Sequence, residues 1–204
     1  MSSSSQELLK KLQNKYKTLD SIRNKQEDLF YKKIIIKRDI EEVYSAIFLD
    51  AIVNFEAFLE ELFFGILLNR IRTSYPNVKA KIVVSNKNIA NDLVLRDKNY
   101  YPWLPYKDMK KIAKLLLVDG RPFTFLTSYH EDQIDKCLAI RNAIAHMSED
   151  SKKKFKIKIQ QSIGFNLVRP NPKKFLRLQY SFSPPLNYYQ KYIGELLGIA
   201  QLLC

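Results

Sequence analysis

The chain has 204 residues, with 34 Lys and Arg against 21 Asp and Glu, a formal net charge of +13. That length suits one domain with an appended arm, and 46% apolar residues with only five glycines favour helices over a turn-rich β architecture. Two distant cysteines, Cys137 and Cys204, with no CxxC pair, argue against a zinc site or a disulfide framework.

The charge surplus points to a polyanionic partner, nucleic acid before an anionic membrane surface; a solvated lysine-rich surface is the bland alternative. The first five residues are polar and lead into charged sequence, without the apolar run of a signal peptide. The most apolar stretch, 46–68, holds Asp50, Glu56, Glu60 and Glu61, too many acids for a membrane helix. A cytoplasmic chain with no membrane partner is therefore expected.

From Gln6 to Arg72 no proline occurs and the first glycine is Gly65, which predicts helix in at least two pieces. The first, 6–31, is polar and lysine-rich with a thin stripe of Leu8, Leu9, Leu12, Tyr16, Leu19 and Ile22. The second, 37–72, is apolar around well over half its circumference, from Tyr44 through Phe55, Phe58 and Phe63 to Leu67, and so must be buried on several sides or shared with a subunit interface. Tyr75-Pro76 closes it.

Ser85 is read as the cap of a short helix to Leu95. An aromatic loop, 100–105, follows, with Tyr100, Tyr101 and Trp103 read as core plugs rather than base-stacking rings. Pro105 opens a helix to Val118, and Asp119-Gly120-Arg121-Pro122 stops it. A further helix is predicted over 131–147, with Ser148-Glu149-Asp150 restarting it. Phe155, Ile157 and Ile159 alternate with lysines as in a strand, or sit on a fraying helix. The proline-rich run 166–185 reads as loop with a small hairpin, and the last helix covers 186–203. The fold class expected is all-α: a long N-terminal helix over 1–36, a helical bundle over 37–204, and a small β-hairpin or loop insertion near 155–182.

The chemistry concentrates at Ile140-Arg141-Asn142-Ala143-Ile144-Ala145-His146. At 100° per residue Asn142 and His146 share one face, while Arg141 falls inside an apolar arc. A guanidinium there needs a partner. Two readings stay open: an ion pair inside the bundle, with Glu56 or another acid, or a cleft where Arg141 awaits an anion. An imidazole that moves protons near neutral pH beside a guanidinium that holds phosphate is a minimal kit for phosphodiester transfer. A twofold copy would supply the second base.

R-N-x-x-x-H near the end of a helix resembles the hallmark of HEPN domains, and 51–62 (AIVNFEAFLEEL) resembles their first core helix, with Glu56 as its acid. The likeness runs from about residue 40 to the C-terminus and is nearest to stand-alone toxin–antitoxin and anti-phage defence members. It implies a homodimeric endoribonuclease that uses neither metal nor cofactor and leaves 2′,3′-cyclic phosphate and 5′-hydroxyl ends. Through that likeness His146 is assigned proton transfer, Arg141 the scissile phosphate, Asn142 the orientation of His146 or the phosphate, and Glu56 support of Arg141. An antitoxin or defence-system partner is implied too. A HEPN module that only binds RNA, nucleotide or a partner protein is the alternative.

Directly after the motif, Lys152, Lys153, Lys154, Lys156, Lys158, Arg169, Lys173, Lys174 and Arg177 occur without an acid, interleaved with Phe155, Phe165, Phe175 and Tyr180. This composition suits an RNA backbone track with stacking positions. Its plain counterpart is a solvated lysine face with aromatics turned inward.

Overall fold

The structure, a computed structural model, describes residues 3–84, 86–95, 101–146, 148–163 and 171–204. The fold is all-α. Helix α1 spans Ser5–Tyr31, α2 Lys37–Leu67, α3 Lys87–Leu95, α4 Tyr106–Leu116, α5 Ser128–Ala145, α6 Glu149–Ile163, α7 Pro172–Arg177 and α8 Tyr188–Leu203. The strands are short: β1 (Ser3–Ser4) pairs in parallel with β2 (Ile71–Arg72), and β3 (Gln179–Phe182) pairs antiparallel with β4 (Pro185–Asn187).

Side chains fix most helix starts. Ser4 and Glu7 form a capping box, Glu7 N–H donating to Ser4 Oγ (3.3 Å) and Ser4 N–H to Glu7 Oε2 (3.4 Å). Asp39 reaches back to Ile36 N–H at 3.1 Å, and Asn187 and Gln190 exchange bonds of 2.9 and 3.1 Å at the start of α8. For α3 the side-chain cap is Asn86, whose Oδ1 accepts from Ile89 N–H at 3.0 Å. The expected cap, Ser85, lies outside the described residues.

The ends of α1 and α2 share one device. Lys33 adopts φ 58° and Asn69 φ 53°. After each, a six-residue bond closes the turn, Ile34 N–H to Leu29 O (3.0 Å) and Arg70 N–H to Gly65 O (2.7 Å). The four-residue bonds Lys33 N–H to Phe30 O and Asn69 N–H to Ile66 O complete two Schellman motifs. Helix α2 therefore stops at Leu67, short of the expected Arg72, and Ile71 becomes strand. Gly65 permits this return, because the Ile71 side chain occupies the space a Cβ would need.

The chain divides into two units. The first comprises Met1–Gln13, Asn54–Ile134 and Leu197–Cys204. Its core is aromatic: Phe63 stands 5.4 Å from the Trp103 ring and 5.9 Å from Phe123. Trp103 is the expected plug, buried with its indole N–H donating to Glu60 Oε2 at 2.9 Å. Tyr106 donates to the Phe123 carbonyl (2.8 Å), and Tyr100 lies outside the described residues. Helix α4 follows Pro105 and buries Met109, Ile112, Ala113 and Leu116 at helical spacing. The two chain ends meet here, Ser5 Oγ donating to Cys204 O (2.9 Å) and Cys204 Sγ to Ser5 O (3.2 Å).

The second unit comprises Asn14–Val53 and Asp135–Leu196. Tyr16 ties α1 to α2 by donating to Ala51 O at 3.0 Å, and Lys15 pairs with Asp50 at 3.1 Å. Tyr44 and Phe48 pack edge-on against Tyr189 of α8. Phe175 bridges α6 and α8 through Phe155, Tyr188 and Tyr192. The alternation at 155–159 is helical, not strand-like: Phe155 and Ile159, four apart, are buried, whereas Ile157 is 47% exposed. Ser148 caps this helix, its Oγ accepting from Ser151 N–H at 3.3 Å. The hairpin expected near 155–182 is present, but lies later, at 179–187, after the short helix α7. Among the described residues no helix is long and apolar enough to cross a membrane.

Candidate functional site

Arg141 and Asn142 lie in the last turn of α5, within the second unit. Both are half-buried. Arg141 Nη1 donates to Asn142 Oδ1 at 2.8 Å, so the amide oxygen fixes the guanidinium. That bond uses one of the five guanidinium N–H groups and orients its plane. His146 is the first residue beyond the helix and is exposed, its backbone N–H closing the final turn on Asn142 O at 2.8 Å. The triad is thus local: six residues at the end of α5 carry a held guanidinium, the amide that holds it and an accessible imidazole. Asn142, expected to orient His146 or the phosphate, accepts from Arg141 through its amide oxygen.

Glu56 is half-buried in α2. The other histidine, His130, is structural: its Nδ1 accepts from Thr127 N–H at 3.2 Å at the start of α5. Cys137 is fully buried, and burial pushes its thiol far above the usual range, which makes it inert.

The basic residues after the motif separate into groups. Lys152, Lys153, Lys154 and Lys156 line the exposed side of α6. Lys152 pairs with Glu149 (2.7 Å) and Lys154 with Asp150 (2.8 Å), both in the first turn of the same helix. Such exposed pairs are weak and exchange readily for phosphate. Lys158 lies 3.6 Å from Asp135. Lys173 is held by Glu42 at 2.6 Å, and Lys174 is exposed. Arg169 and Phe165 lie outside the described residues. Phe155 and Phe175 face the core, as in the plain reading of those aromatics.

Arg177 is committed elsewhere. Its Nε and Nη2 both bond Glu27, each at 2.9 Å, and its guanidinium lies 4.1 Å from the centre of the Phe30 ring. Tyr44 donates to the same carboxylate at 2.7 Å and accepts from Asn187 Nδ2 at 2.9 Å. Burial would raise Glu27, but the bonds from Arg177 and Tyr44 outweigh it and hold the carboxyl below its usual range. Beside this cluster lies a cavity of about 640 Å³ on the second unit, bordered by Arg23, Lys37 and Glu41 as well as Glu27 and Arg177.

Sequence reading missed this cluster, although a signal existed. The stripe on α1 does not pass from Leu19 to Ile22. It passes to Arg23, which is 8% exposed against 40% for Ile22. The spacing 12, 16, 19, 23, 27 places two charges in line with an apolar stripe, the same anomaly that singles out Arg141.

Among the described residues no group of three or more His, Cys, Asp or Glu side chains is arranged to hold a metal ion. No protein-family model, curated protein or solved structure matches this chain.

Proposed function

We propose that the protein is an endoribonuclease of the HEPN type, acting as a homodimer on RNA. The observation that carries this reading is the half-buried Arg141, fixed by Asn142, within six residues of an exposed His146 at the end of one helix. An arginine oriented by a neutral amide, rather than neutralised by a described carboxylate, keeps its charge for a phosphate.

In this mechanism Arg141 neutralises the non-bridging oxygens of the scissile phosphate. An imidazole takes the 2′-hydroxyl proton as the 2′-oxygen bonds to phosphorus. The bond from phosphorus to the 5′-oxygen breaks, and that oxygen receives a proton from a second imidazole. The twofold-related His146 provides it, since the single chain has no other histidine near the motif in sequence. A 2′,3′-cyclic phosphate and a 5′-hydroxyl result. The lysines on the exposed side of α6, which begins three residues after His146, attract the RNA backbone. A toxin or defence effector held in check by a partner protein fits such an activity.

The test is incubation of purified protein with total RNA in excess EDTA, beside the His146→Ala variant, with analysis of fragment ends. Cyclic-phosphate and 5′-hydroxyl ends that vanish in the variant support the proposal. A folded dimer that leaves RNA intact moves the assignment to a HEPN module that binds without cutting.

A further inference from the structure

Helices α1 and α2 are tied side by side through Tyr16 to Ala51 and Tyr44 to Glu27, and the turn that joins them lies in the second unit. That turn carries apolar side chains into solvent: Tyr31 is 76% exposed, Ile34 66% and Ile36 65%. An exposed apolar run of this kind is costly unless something covers it. The fold makes little use of either isoleucine. Ile36 is the N-cap of α2, its carbonyl accepting from Asp39 N–H at 3.0 Å. Serine or asparagine there would also spend a side chain on the free N–H groups, and isoleucine is among the poorest caps. Ile34 follows the left-handed Lys33, where a Schellman turn commonly packs an apolar residue back on its helix. Left mostly in solvent, Ile34 does little of that.

A second apolar tip stands beside the first. Phe182, opposite Pro185 across the β3–β4 turn, is 83% exposed. Both turns border the same cavity of the second unit, Tyr31 from one side and Pro185 from the other. Cations collar the two tips. Lys32, Lys33, Lys37 and Arg38 occur with no acid between Asp28 and Asp39, and no acid occurs between Asp150 and Glu195. Lys32 and Lys37 make only exposed contacts with Asp28 and Glu41, at 2.7 and 4.0 Å. Among the described residues Lys33 and Arg38 have no acid within ion-pair distance.

This combination selects the partner. RNA offers phosphates to the collar but nothing to outward aliphatic side chains. A protein partner needs a continuous face of about 800 Å² on each side, whereas two turns present separate points. A lipid surface suits both features, because apolar tips enter the acyl boundary while cations meet the headgroup phosphates. We propose that the second unit attaches peripherally to anionic lipid surfaces by inserting the tips at 31–36 and 182. The absence of a membrane partner expected from the sequence rested on the lack of a spanning or signal segment, and insertion of two turns requires neither. The attachment does not rest on the reading of Arg141 and His146.

The test is sedimentation of the full chain with vesicles of phosphatidylcholine, with or without phosphatidylserine as about a third of the lipid. Binding is expected to be about tenfold or more tighter with phosphatidylserine and to weaken as salt is added. Ile34→Ser combined with Ile36→Ser leaves the charge unchanged and should lower affinity about tenfold to a hundredfold. Its circular dichroism should be intact, since serine is the better cap at position 36. Lys33→Asn combined with Arg38→Gln, in which asparagine suits the left-handed turn, should lower affinity about tenfold. Tryptophan fluorescence of Tyr31→Trp should shift to the blue on the anionic vesicles and be quenched by brominated acyl chains, while the buried Trp103 gives a constant background. Vesicle binding that the isoleucine variant leaves undiminished assigns the attachment to lysines alone and overturns the proposal. No binding to the anionic vesicles overturns it as well, as does lipid-free self-association that the isoleucine variant abolishes, which gives the tips to a second copy.

Discussion

The second unit holds two polar clusters, and they differ in how the chain builds them. The motif at the end of α5 is local: Arg141, Asn142 and His146 lie within six residues, and Arg141 is fixed by its immediate neighbour. The cluster around Glu27 is assembled from afar, with Arg177 coming from 150 positions away and Asn187 reaching Tyr44 across 143. A local cluster survives as a pattern in the chain and costs the fold little. A non-local one leaves no motif, yet it ties α1, α2, α7 and the start of α8 together. Chemistry is expected at the first, and stability at the second.

The largest effect expected is at the local cluster. His146→Ala should slow RNA cleavage about 10²- to 10⁴-fold, the range for loss of a positioned proton-transfer group. Its far-ultraviolet circular dichroism should be unchanged, since His146 is exposed. Arg141→Ala should cost a comparable factor in rate and less than about 1 kcal/mol in stability. A loss of several kcal/mol in Arg141→Ala would make that arginine structural and dissolve the contrast between the clusters.

The distant cluster should behave the opposite way. Arg177→Ala leaves Glu27, whose side chain is 15% exposed, without its bidentate partner, and a loss of about 2–4 kcal/mol in urea denaturation is expected. Arg177→Met paired with Glu27→Leu should recover most of that, because the charge left unpaired dominates the cost rather than the bridge itself. If the double variant were no better than the single ones, the pair would be a source of net stability.

Acid sharpens the same point. Glu27 is held below its unfolded value, so its contribution is present above about pH 4.3 and is lost as pH falls through the lower folded value. Stability measured from pH 7 downward should therefore fall below about pH 4, and Glu27→Gln should flatten that limb of the curve. An unchanged acid limb in Glu27→Gln would place the responsible carboxylate elsewhere.

How much of this the chain discloses follows from the same distinction. Helix existence was legible almost throughout, because proline, caps and apolar spacing are local signals. The end of α2 was not, since it depends on Asn69 entering a left-handed turn and on Ile71 filling the space beside Gly65. The run 155–159 stayed open between strand and helix because its alternation spans only three apolar residues, and burial of Phe155 and Ile159 alone decides for helix. At the candidate sites, Arg141 stood out as a charge in an apolar arc. Arg23 and Glu27 obey the same rule, but their apolar stripe is thinner and its course past Leu19 is ambiguous by one residue. The commitment of Arg177 to Glu27 was invisible, because nothing in a run of basic residues tells a bridging arginine from a phosphate-binding one.

The smallest effect concerns the turn between α1 and α2, which carries Tyr31 and Lys37 to the cavity. Lys33 and Asn69 hold the same position in two Schellman motifs, but only asparagine tolerates the left-handed conformation well. Lys33→Gly removes a Cβ penalty of about 1–2 kcal/mol, against which the greater freedom of glycine in the unfolded chain costs about 0.5–1 kcal/mol. A net gain of roughly 0.5–1 kcal/mol is expected, seen as a rise of about 1–4 °C in Tm. Asn69→Gly should give only a few tenths of a kcal/mol, since asparagine already suits the turn. Were Lys33→Gly to destabilise, the freedom glycine adds to the unfolded chain would outweigh the strain of the left-handed lysine.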